Sequence, residues 1–283
     1  MPFLFLFFLN LPMNSPGLYT TTITSLSESL QKLLDATDLV ARIPQGKTVL
    51  IKPNLVEALE PPITTPVKLI ALLIDYLRER IPDLPICIGE GTGSLEYDTD
   101  HPFQFLGYTD LADKKEIPLI DLNHEALSRK ENPDCRRWPV MHLPAILDEF
   151  FLLSVPVLKA HTLATVTLTM KNMMGCAPPS HFRGNGCWGK SSFHERIHEA
   201  VFDLNRYRTP DFTLLDASIG MARAHLWGPH CEPPVNRLAA CADPVAIDAY
   251  GASLLGFDWR KIGHIEMADT ILGTAETEPM EIG

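Results

Sequence analysis

Several patterns that identify a function directly are missing from this sequence of 283 residues. Its six cysteines include no Cys-x-x-Cys pair, so no iron–sulfur cluster is expected in this chain. The phosphate-binding loop GxxxxGK(S/T) and the dinucleotide-binding pattern GxGxxG are absent as well. The most recognisable cluster-binding and nucleotide-binding motifs are therefore excluded, and the sequence leaves the cofactor unknown.

The sequence also has fewer basic than acidic residues. The chain has 24 Lys and Arg residues against 35 Asp and Glu residues, which gives a formal net charge of -11. An acidic surface repels the phosphate backbone, so nucleic acid is not an expected partner. A local pocket of lysine and histidine can still bind a small anion.

No apolar run is long enough to cross a membrane. The run Phe3–Leu9 stops at Asn10 and Pro12, far short of the ~20 residues that a membrane helix needs. A secretory signal requires basic residues before its apolar run, and the first basic residue here is Lys32. We expect residues 1–12 to be a ragged apolar extension, with a short membrane-associating tag as the alternative. The expected location is the cytoplasm, without stable membrane insertion and with reduced cysteines.

The residues that are present have the pattern of an α/β protein. A β-rich run at 47–52, an amphipathic helix at 66–80 and a β-rich run at 85–89 predict a βαβ unit with parallel strands. Further strands are predicted at 117–122, 150–158, 212–216 and 238–242, and further helices at 22–36, 193–206 and 244–255. We predict an α/β fold with a mostly parallel sheet flanked by helices. Residues 13–283 would form a single domain, with two packed lobes as the alternative.

Side chains that are common in active sites follow the predicted strands. Ligands of open α/β sheets bind beyond the carboxyl ends of the strands, so residues at these positions are candidates for a site. They are Lys52, Asn54, Glu90, Gly91, Asp121, Asn123, Lys159, His161, Asp216 and Asp243. We expect this edge of the sheet to hold a ligand, although core strands ordinarily end in simple turns.

Lys159 and His161 are the pair in this set with the most specific signal for a ligand site. They alternate after the apolar run Val155–Leu158, so an extended backbone places both side chains on one face. Together they can hold a carboxylate or phosphate, or act as base and electrophile if burial lowers the lysine pKa. A solvated strand end is the alternative.

Two neighbouring segments add polar candidates. Alternation over Thr165–Asn172 predicts a strand with Lys171 and Asn172 at its exit, a pair that suits an oxygen-rich ligand. An ordinary turn explains the same residues. The loop Glu90–Ser94 contains glycines whose backbone N–H groups can hold an anion, although the Glu90 carboxylate repels one.

A metal site is a further hypothesis. Cys187, His194 and His198 have the ligand types that zinc accepts, and the two histidines would share one face of the predicted helix 193–206. No standard zinc spacing matches, so helix-surface histidines are the alternative, and a divalent metal is an open cofactor. Asp248 lies in an apolar helix, where a buried carboxylate needs a partner, so we predict that it binds ligand.

Taken together, these motifs resemble the family known as domain of unknown function 362. The matching segments are VLIKPNLV (49–56), TTP (64–66), IGEGTG (88–93), VPVLKAHTLATVTLTMKNMMG (155–175), HERIHEAVFDLN (194–205), TPDFTLLDASIGM (209–221), GP (228–229) and DPVAIDAYGASLLG (243–256). The resemblance implies an α/β domain and motif positions at Lys52, Asn54, Glu90, Lys159, His161, Lys171, Asn172, His198, Asp203, Asp216, Asp243 and Asp248.

The resemblance also has limits. Some members carry an iron–sulfur module that this chain lacks, so a separate iron–sulfur protein is a candidate partner. The family usually runs through a glycine-rich stretch where this chain has Met221–Pro234, with Arg223, His225 and Trp227 in place of small residues. Those bulky residues are expected to alter or narrow the pocket.

Our leading hypothesis is an enzyme acting on a small anionic molecule, either carboxylated or phosphorylated. Acid–base or anion-holding roles are predicted for Lys159, His161, Glu90, His198 and Asp216, and ligand binding for Lys52, Asn54, Lys171, Asn172, Gly91 and Asp248. The alternatives are a non-enzymatic metal or cofactor carrier and a degenerate family member with an interaction role. The substrate and the oligomeric state do not follow from the sequence.

Overall fold

The structure is a computed structural model that describes residues 17–283. The apolar extension expected at residues 1–12 lies outside this range. No helix within the described range has the length and apolar character that a membrane-spanning segment needs.

Twelve strands form two sheets in the described range. They are β1 (Tyr19–Thr22), β2 (Val49–Pro53), β3 (Ile86–Glu90), β4 (Leu119–Asp121), β5 (Leu127–Glu131), β6 (Val140–Pro144), β7 (Phe151–Val155), β8 (Val157–His161), β9 (Thr165–Thr167), β10 (Phe212–Met221), β11 (Arg237–Cys241) and β12 (Met280–Ile282). The larger sheet follows the order β12-β1-β11-β10-β7-β2-β3-β4, with β8 on β10 and β9 on β8, and the hairpin β5-β6 forms the second sheet.

Eleven α-helices accompany these strands in the described range. They are α1 (Leu26–Ala36), α2 (Leu39–Arg42), α3 (Val67–Arg80), α4 (Asp100–Phe105), α5 (Tyr108–Lys115), α6 (Ile146–Glu149), α7 (Thr169–Asn172), α8 (Pro179–Phe182), α9 (Ile197–Tyr207), α10 (Pro244–Leu254) and α11 (Gly263–Ala268). Three 3₁₀ segments lie at Met173–Cys176, Ser191–His194 and Trp259–Lys261.

The predicted α/β fold is confirmed, because most neighbouring strands of the large sheet run parallel. The strands β10, β7, β2, β3 and β4 pair in parallel through the centre of the sheet. The βαβ unit β2-α3-β3 has the predicted order and parallel register. Antiparallel pairs occur where β11 joins β1 and β10 and where β9 returns on β8.

Helices can cover both faces of the sheet because successive strand residues point to opposite sides. On β2, Leu50 belongs to one apolar cluster, whereas Val49 and Ile51 belong to the other. The central strands β2, β3, β7 and β8 are buried at every position. Residues at the carboxyl ends of these strands are therefore buried as well.

Three local predictions were wrong. The predicted strand 150–158 is two strands, β7 and β8, separated at Pro156, whose missing N–H cannot continue a ladder. The predicted strand 165–172 ends at Thr167 and continues as α7. The predicted helix 193–206 begins only at Ile197, because Arg196 has a left-handed backbone with φ 54°.

Candidate active site

The structure brings four elements to one edge of the sheet. Lys52 lies on β2 and Glu90 at the end of β3, while Lys159 and His161 end β8. The helix α7 carries Lys171 and Asn172 to the same place. The polar residues of these four elements therefore meet, as strand order in a parallel sheet predicts.

A buried network of Lys52, Asn54, Glu90 and Asn172 forms the base of this edge. The Lys52 Nζ atom lies 2.9 Å from both Glu90 carboxylate oxygens and donates to the Asn172 side-chain oxygen at 3.1 Å. The Asn54 amide donates to the same Asn172 oxygen at 3.0 Å. The Lys52 charge is therefore balanced by Glu90, and the polar groups around the pair hydrogen-bond to it, as burial of an ion pair requires.

The backbone completes the ion pair. The amide N–H of Leu55 donates to one Glu90 oxygen and that of Gly91 to the other, at 3.0 and 2.9 Å. Both Glu90 oxygens are thus occupied. Glu90 balances the Lys52 charge, and this position does not suit the acid–base role predicted from the sequence.

Glycine is required where a loop crosses the network. A Cβ atom on Gly175 would lie 1.9 Å from a Glu90 oxygen and 2.5 Å from the Lys52 Nζ atom. At Gly91 a Cβ atom would lie 2.4 Å from the Asn123 side-chain oxygen. Any larger residue would push these groups apart, so both glycines are needed for close backbone approach.

Above the network lies a cavity of about 290 Å³. Its charged lining residues are three lysines, Lys159, Lys171 and Lys190, and one carboxylate, that of Glu90. Glu90 is already paired with Lys52. The balance of charge in the cavity is therefore positive, and it complements a small anion.

Three of the four buried lysines at this edge have acceptors. Lys52 is held by Glu90, Lys159 donates to the Ile63 carbonyl at 2.7 Å, and Lys190 donates to three backbone carbonyls including that of Gly91. Within residues 17–283, no acceptor lies within hydrogen-bonding distance of the Lys171 Nζ atom, although only 9% of the residue is exposed.

Burial changes the protonation of these lysines. It holds the pKa of Lys159 well below its usual range, and the nearby Lys171 lowers it further. Burial alone lowers the pKa of Lys171 to about 8, and burial with the Lys52 charge lowers the pKa of Lys190 to about 8 against the opposing effect of Glu90. Lys171 can therefore exchange between ammonium and amine near neutral pH.

His161 presents a defined ring nitrogen to the cavity. Its Nδ1 atom accepts hydrogen bonds from the backbone N–H groups of Leu163 and Ala164, both at 3.1 Å, in the turn between β8 and β9. Burial, followed by the Lys171 charge, lowers the pKa of His161 far below its usual range, so the ring is neutral. With Nδ1 accepting, the proton resides on Nε2, which makes that atom a hydrogen-bond donor.

Two further histidines line the same wall. The His225 ring stacks on His161 with centroids 4.0 Å apart, and the His194 ring lies 6.4 Å from His161. Burial and the charges of Lys171 and Lys159 lower the pKa of His225 to about 3. The wall therefore adds neutral imidazoles, rather than further positive charge, beside the lysines.

Several polar atoms of the lining lack partners within the described part of the chain. They are the Asn54 side-chain oxygen, the Thr167 hydroxyl and the His225 Nδ1 atom, all buried. Buried polar groups nearly always have hydrogen-bond partners, and an orphan requires an explanation. Orphans that share one cavity with an unpaired lysine point to a ligand that supplies the missing partners.

Some predicted site residues do not line this cavity. Asp248 accepts hydrogen bonds from the backbone N–H groups of Thr169 and Met170, at 2.7 and 3.0 Å, and so caps α7. Asp216 accepts from the Ser218 N–H group and is not among the lining residues. Asp248 thus positions the helix that carries Lys171, and neither carboxylate lines the cavity.

The predicted metal set does not converge either. His198 pairs with the buried His264, with their Nδ1 atoms 3.0 Å apart, whereas His194 faces the cavity and Cys187 is exposed. The reason is the late start of α9, which separates His194 from the helix that holds His198. In the described residues, the group with three potential ligands in mutual reach is Asp98, Asp121 and His124, most of it at the surface.

Lys190 and His225 line the cavity but are not among the candidates predicted from the sequence. Lys190 lies in a loop rich in Gly and Ser with no periodic pattern, so nothing local indicated its burial. His225 had a signal, since it falls in the stretch where bulky residues replace the small residues typical of the resembled family. From this stretch, His225 and Leu226 line the cavity wall.

Comparison with known proteins finds similarity over most of the chain. The model of the family described as "Domain of unknown function (DUF362)" matches residues 49–253. A thylakoid-associated protein of Synechocystis sp. is 26% identical over 261 residues, which covers 83% of this chain and 71% of the relative.

A solved structure shares the fold. The lactate racemase apoprotein from Thermoanaerobacterium thermosaccharolyticum matches with a TM-score of 0.52 at 12% identity, over 81% of this chain. The match covers 55% of the racemase chain, so this chain spans just over half the length of that protein. At this identity the likeness concerns the α/β fold.

Proposed function

This chain belongs to the domain of unknown function 362 family, and we propose that it is an enzyme acting on a small carboxylated or phosphorylated molecule bound in the lysine-lined cavity. The observation that carries the proposal is Lys171, a buried lysine without an acceptor in the described chain, which faces a cavity that also contains orphaned polar atoms. An isolated buried charge is costly, and an anionic ligand removes that cost.

Chemistry beyond binding is supported by the protonation states. An amine with a pKa near 8 can accept a proton from substrate or return one, which suits general acid–base catalysis near neutral pH. The neutral His161 ring directs an Nε2–H donor into the cavity, where it can stabilise negative charge that develops on a substrate oxygen. Two groups of different character therefore face one small volume.

The relatives guide the choice of first ligands. Lactate is a small hydroxycarboxylate, and the racemase that acts on it has the same general fold. The thylakoid association belongs to the Synechocystis relative, and for this chain we keep the cytoplasm as the proposed location. Small hydroxy acids, oxo acids and inorganic phosphate are therefore the ligands to test first.

The test is a thermal-shift and calorimetric screen of lactate, glycolate, pyruvate and phosphate against four proteins: wild type and the variants Lys171→Met, His161→Asn and Lys68→Met. In the His161→Asn variant, the amide oxygen of the shorter side chain can replace the Nδ1 acceptor of the turn while the cavity-facing N–H group of the imidazole is lost. Lys68 is exposed on α3 and serves as the matched lysine control.

We expect at least one anion to stabilise the wild type and the Lys68 variant. The Lys171 variant should lose this stabilisation, and the His161 variant should retain binding with weaker affinity. If no anion in the screen binds, or if Lys171→Met binds as well as wild type, the proposed function is wrong.

A further inference from the structure

We propose that Lys171 is a nucleophile that forms an imine with the carbonyl group of a small oxo acid, an inference that rests on the anion-binding function proposed above. The geometry behind it is the contrast among four buried lysines at one sheet edge. Lys52, Lys159 and Lys190 each donate hydrogen bonds to fixed acceptors, whereas the Lys171 Nζ atom has none in the described chain and lines the cavity.

An amine must have an available lone pair to attack a carbonyl carbon. Lys171 is nine-tenths buried, and burial is the cause of the fall of its pKa to about 8. Desolvation of a lysine in a buried pocket is an established way to make its amine nucleophilic. Lys159 lines the same cavity, and the Lys171 charge helps to lower the Lys159 pKa.

Other lining groups suit the remainder of an oxo acid. Lys159 uses one N–H group for the Ile63 carbonyl and keeps at least one more for a substrate carboxylate. The His161 Nε2–H group can donate to the carbonyl oxygen as negative charge builds there. Carbonyl compounds without a carboxylate lack a partner for the lysines and should react less.

The step balances without a redox partner. The neutral Lys171 amine attacks the carbonyl carbon, a C–N bond forms, and a proton moves from nitrogen to the former carbonyl oxygen to give a carbinolamine. The hydroxyl group then leaves as water with one proton taken from solvent. The C=N bond of a protonated imine remains between Lys171 and the substrate.

The experiment traps this imine. Full-length protein is incubated with pyruvate or glyoxylate and sodium cyanoborohydride, which reduces an imine to a stable secondary amine, and the adduct is located by intact-mass and peptide mass spectrometry. Propionate tests a carboxylate without a carbonyl, and butanal tests a carbonyl without a carboxylate. The variants are Lys171→Met, Lys159→Met and Lys68→Met, and binding of each acid is measured in parallel without reductant.

We expect a single adduct, on Lys171, when the wild type is treated with an oxo acid. Its yield should exceed that of the butanal adduct, and the adduct should be absent from Lys171→Met. The Lys68 variant should react like wild type. The inference is overturned if the oxo acids give no adduct, or if adducts form on exposed lysines and equally in Lys171→Met. A third outcome separates the two proposals: pyruvate binds to wild type and not to Lys171→Met, but no adduct forms. In that case the anion-binding proposal is supported and the imine proposal is wrong.

Discussion

The buried network and the cavity wall are built from the same residue types, but their hydrogen bonding differs. In the network, the three N–H groups of Lys52 have four acceptor atoms within hydrogen-bonding distance, two of them on Glu90. In the wall, Lys171 has no acceptor within the described chain, and Thr167 and His225 have orphaned atoms. Lys52 therefore has the contacts of a structural group, whereas Lys171 has the unpaired state that the proposed anion-binding role requires.

This comparison yields opposite expectations for stability. Removing one partner of a matched buried pair leaves a charge without compensation and destabilises the protein. Removing an unmatched buried charge takes away a cost and stabilises it. Substitutions in the two regions should therefore move the free energy of unfolding in opposite directions.

The largest expected effect is that of Glu90→Gln in the network. The substitution leaves the fully buried Lys52 ammonium without a counter-charge, which typically lowers the free energy of unfolding by about 3–5 kcal/mol. Urea denaturation measures this change, with the exposed Glu60→Gln as the control that should stay within about 0.5 kcal/mol of wild type. A loss as small as that of the control would show that the pair contributes nothing.

Lys171→Met should instead raise the free energy of unfolding near pH 7, by up to about 3 kcal/mol, since each unit of pKa shift corresponds to about 1.4 kcal/mol. The folded-state pKa of about 8 lies below the ordinary lysine value of 10.5, so the unfolded chain binds more protons between these values. The stability of the wild type should therefore rise with pH through this window.

The gain from Lys171→Met should accordingly shrink as the pH rises above about 8 and vanish well above 10.5, where the amine is neutral in both states. Denaturation curves of wild type and variant at several pH values measure the difference. A variant that is less stable than wild type at pH 7 would mean that Lys171 makes structural contacts of its own, and the contrast between network and wall would fail.

A smaller effect is expected for Asp248→Ala. The variant loses two hydrogen bonds to the first N–H groups of α7, and loss of a helix cap lowers the free energy of unfolding by about 0.5–2 kcal/mol. Because α7 carries Lys171, ligand affinity should fall as well, although Asp248 does not line the cavity. Unchanged affinity in a folded Asp248→Ala protein would show that the cap does not position the wall.

The sheet was predictable because its signals are local. The two β-rich runs and the helix of the βαβ unit depend on neighbouring residues, and the structure has all three with shifts of one or two positions at the ends. The same period-two pattern placed Lys159 and His161 on one face, and in the structure both line one cavity. Strand ends in a parallel sheet then indicated which side chains meet.

The errors arose where distant contacts override local preference. The sequence around Thr165 alternates like a strand, but Asp248, 79 residues from Thr169 along the chain, caps a helix there. The apolar residues around Asp248 indicate that its carboxylate is buried and needs a partner. They do not indicate which group the partner is, and the prediction assigned a ligand. Lys190 depends on three carbonyls from other loops, so its burial has no local signal.

The most direct test of the account is the affinity of wild type and Lys171→Met for the tightest anion of the screen that lacks a carbonyl group, measured by calorimetry at about pH 7 and about pH 9. With a Lys171 pKa of about 8, the ammonium fraction falls about tenfold between these pH values, so the wild-type affinity should fall by a similar factor. The Lys171 variant should bind weakly at both. Equal affinity of the two proteins at pH 7, with no dependence on pH, would contradict the claim that Lys171 is the unmatched charge reserved for the ligand.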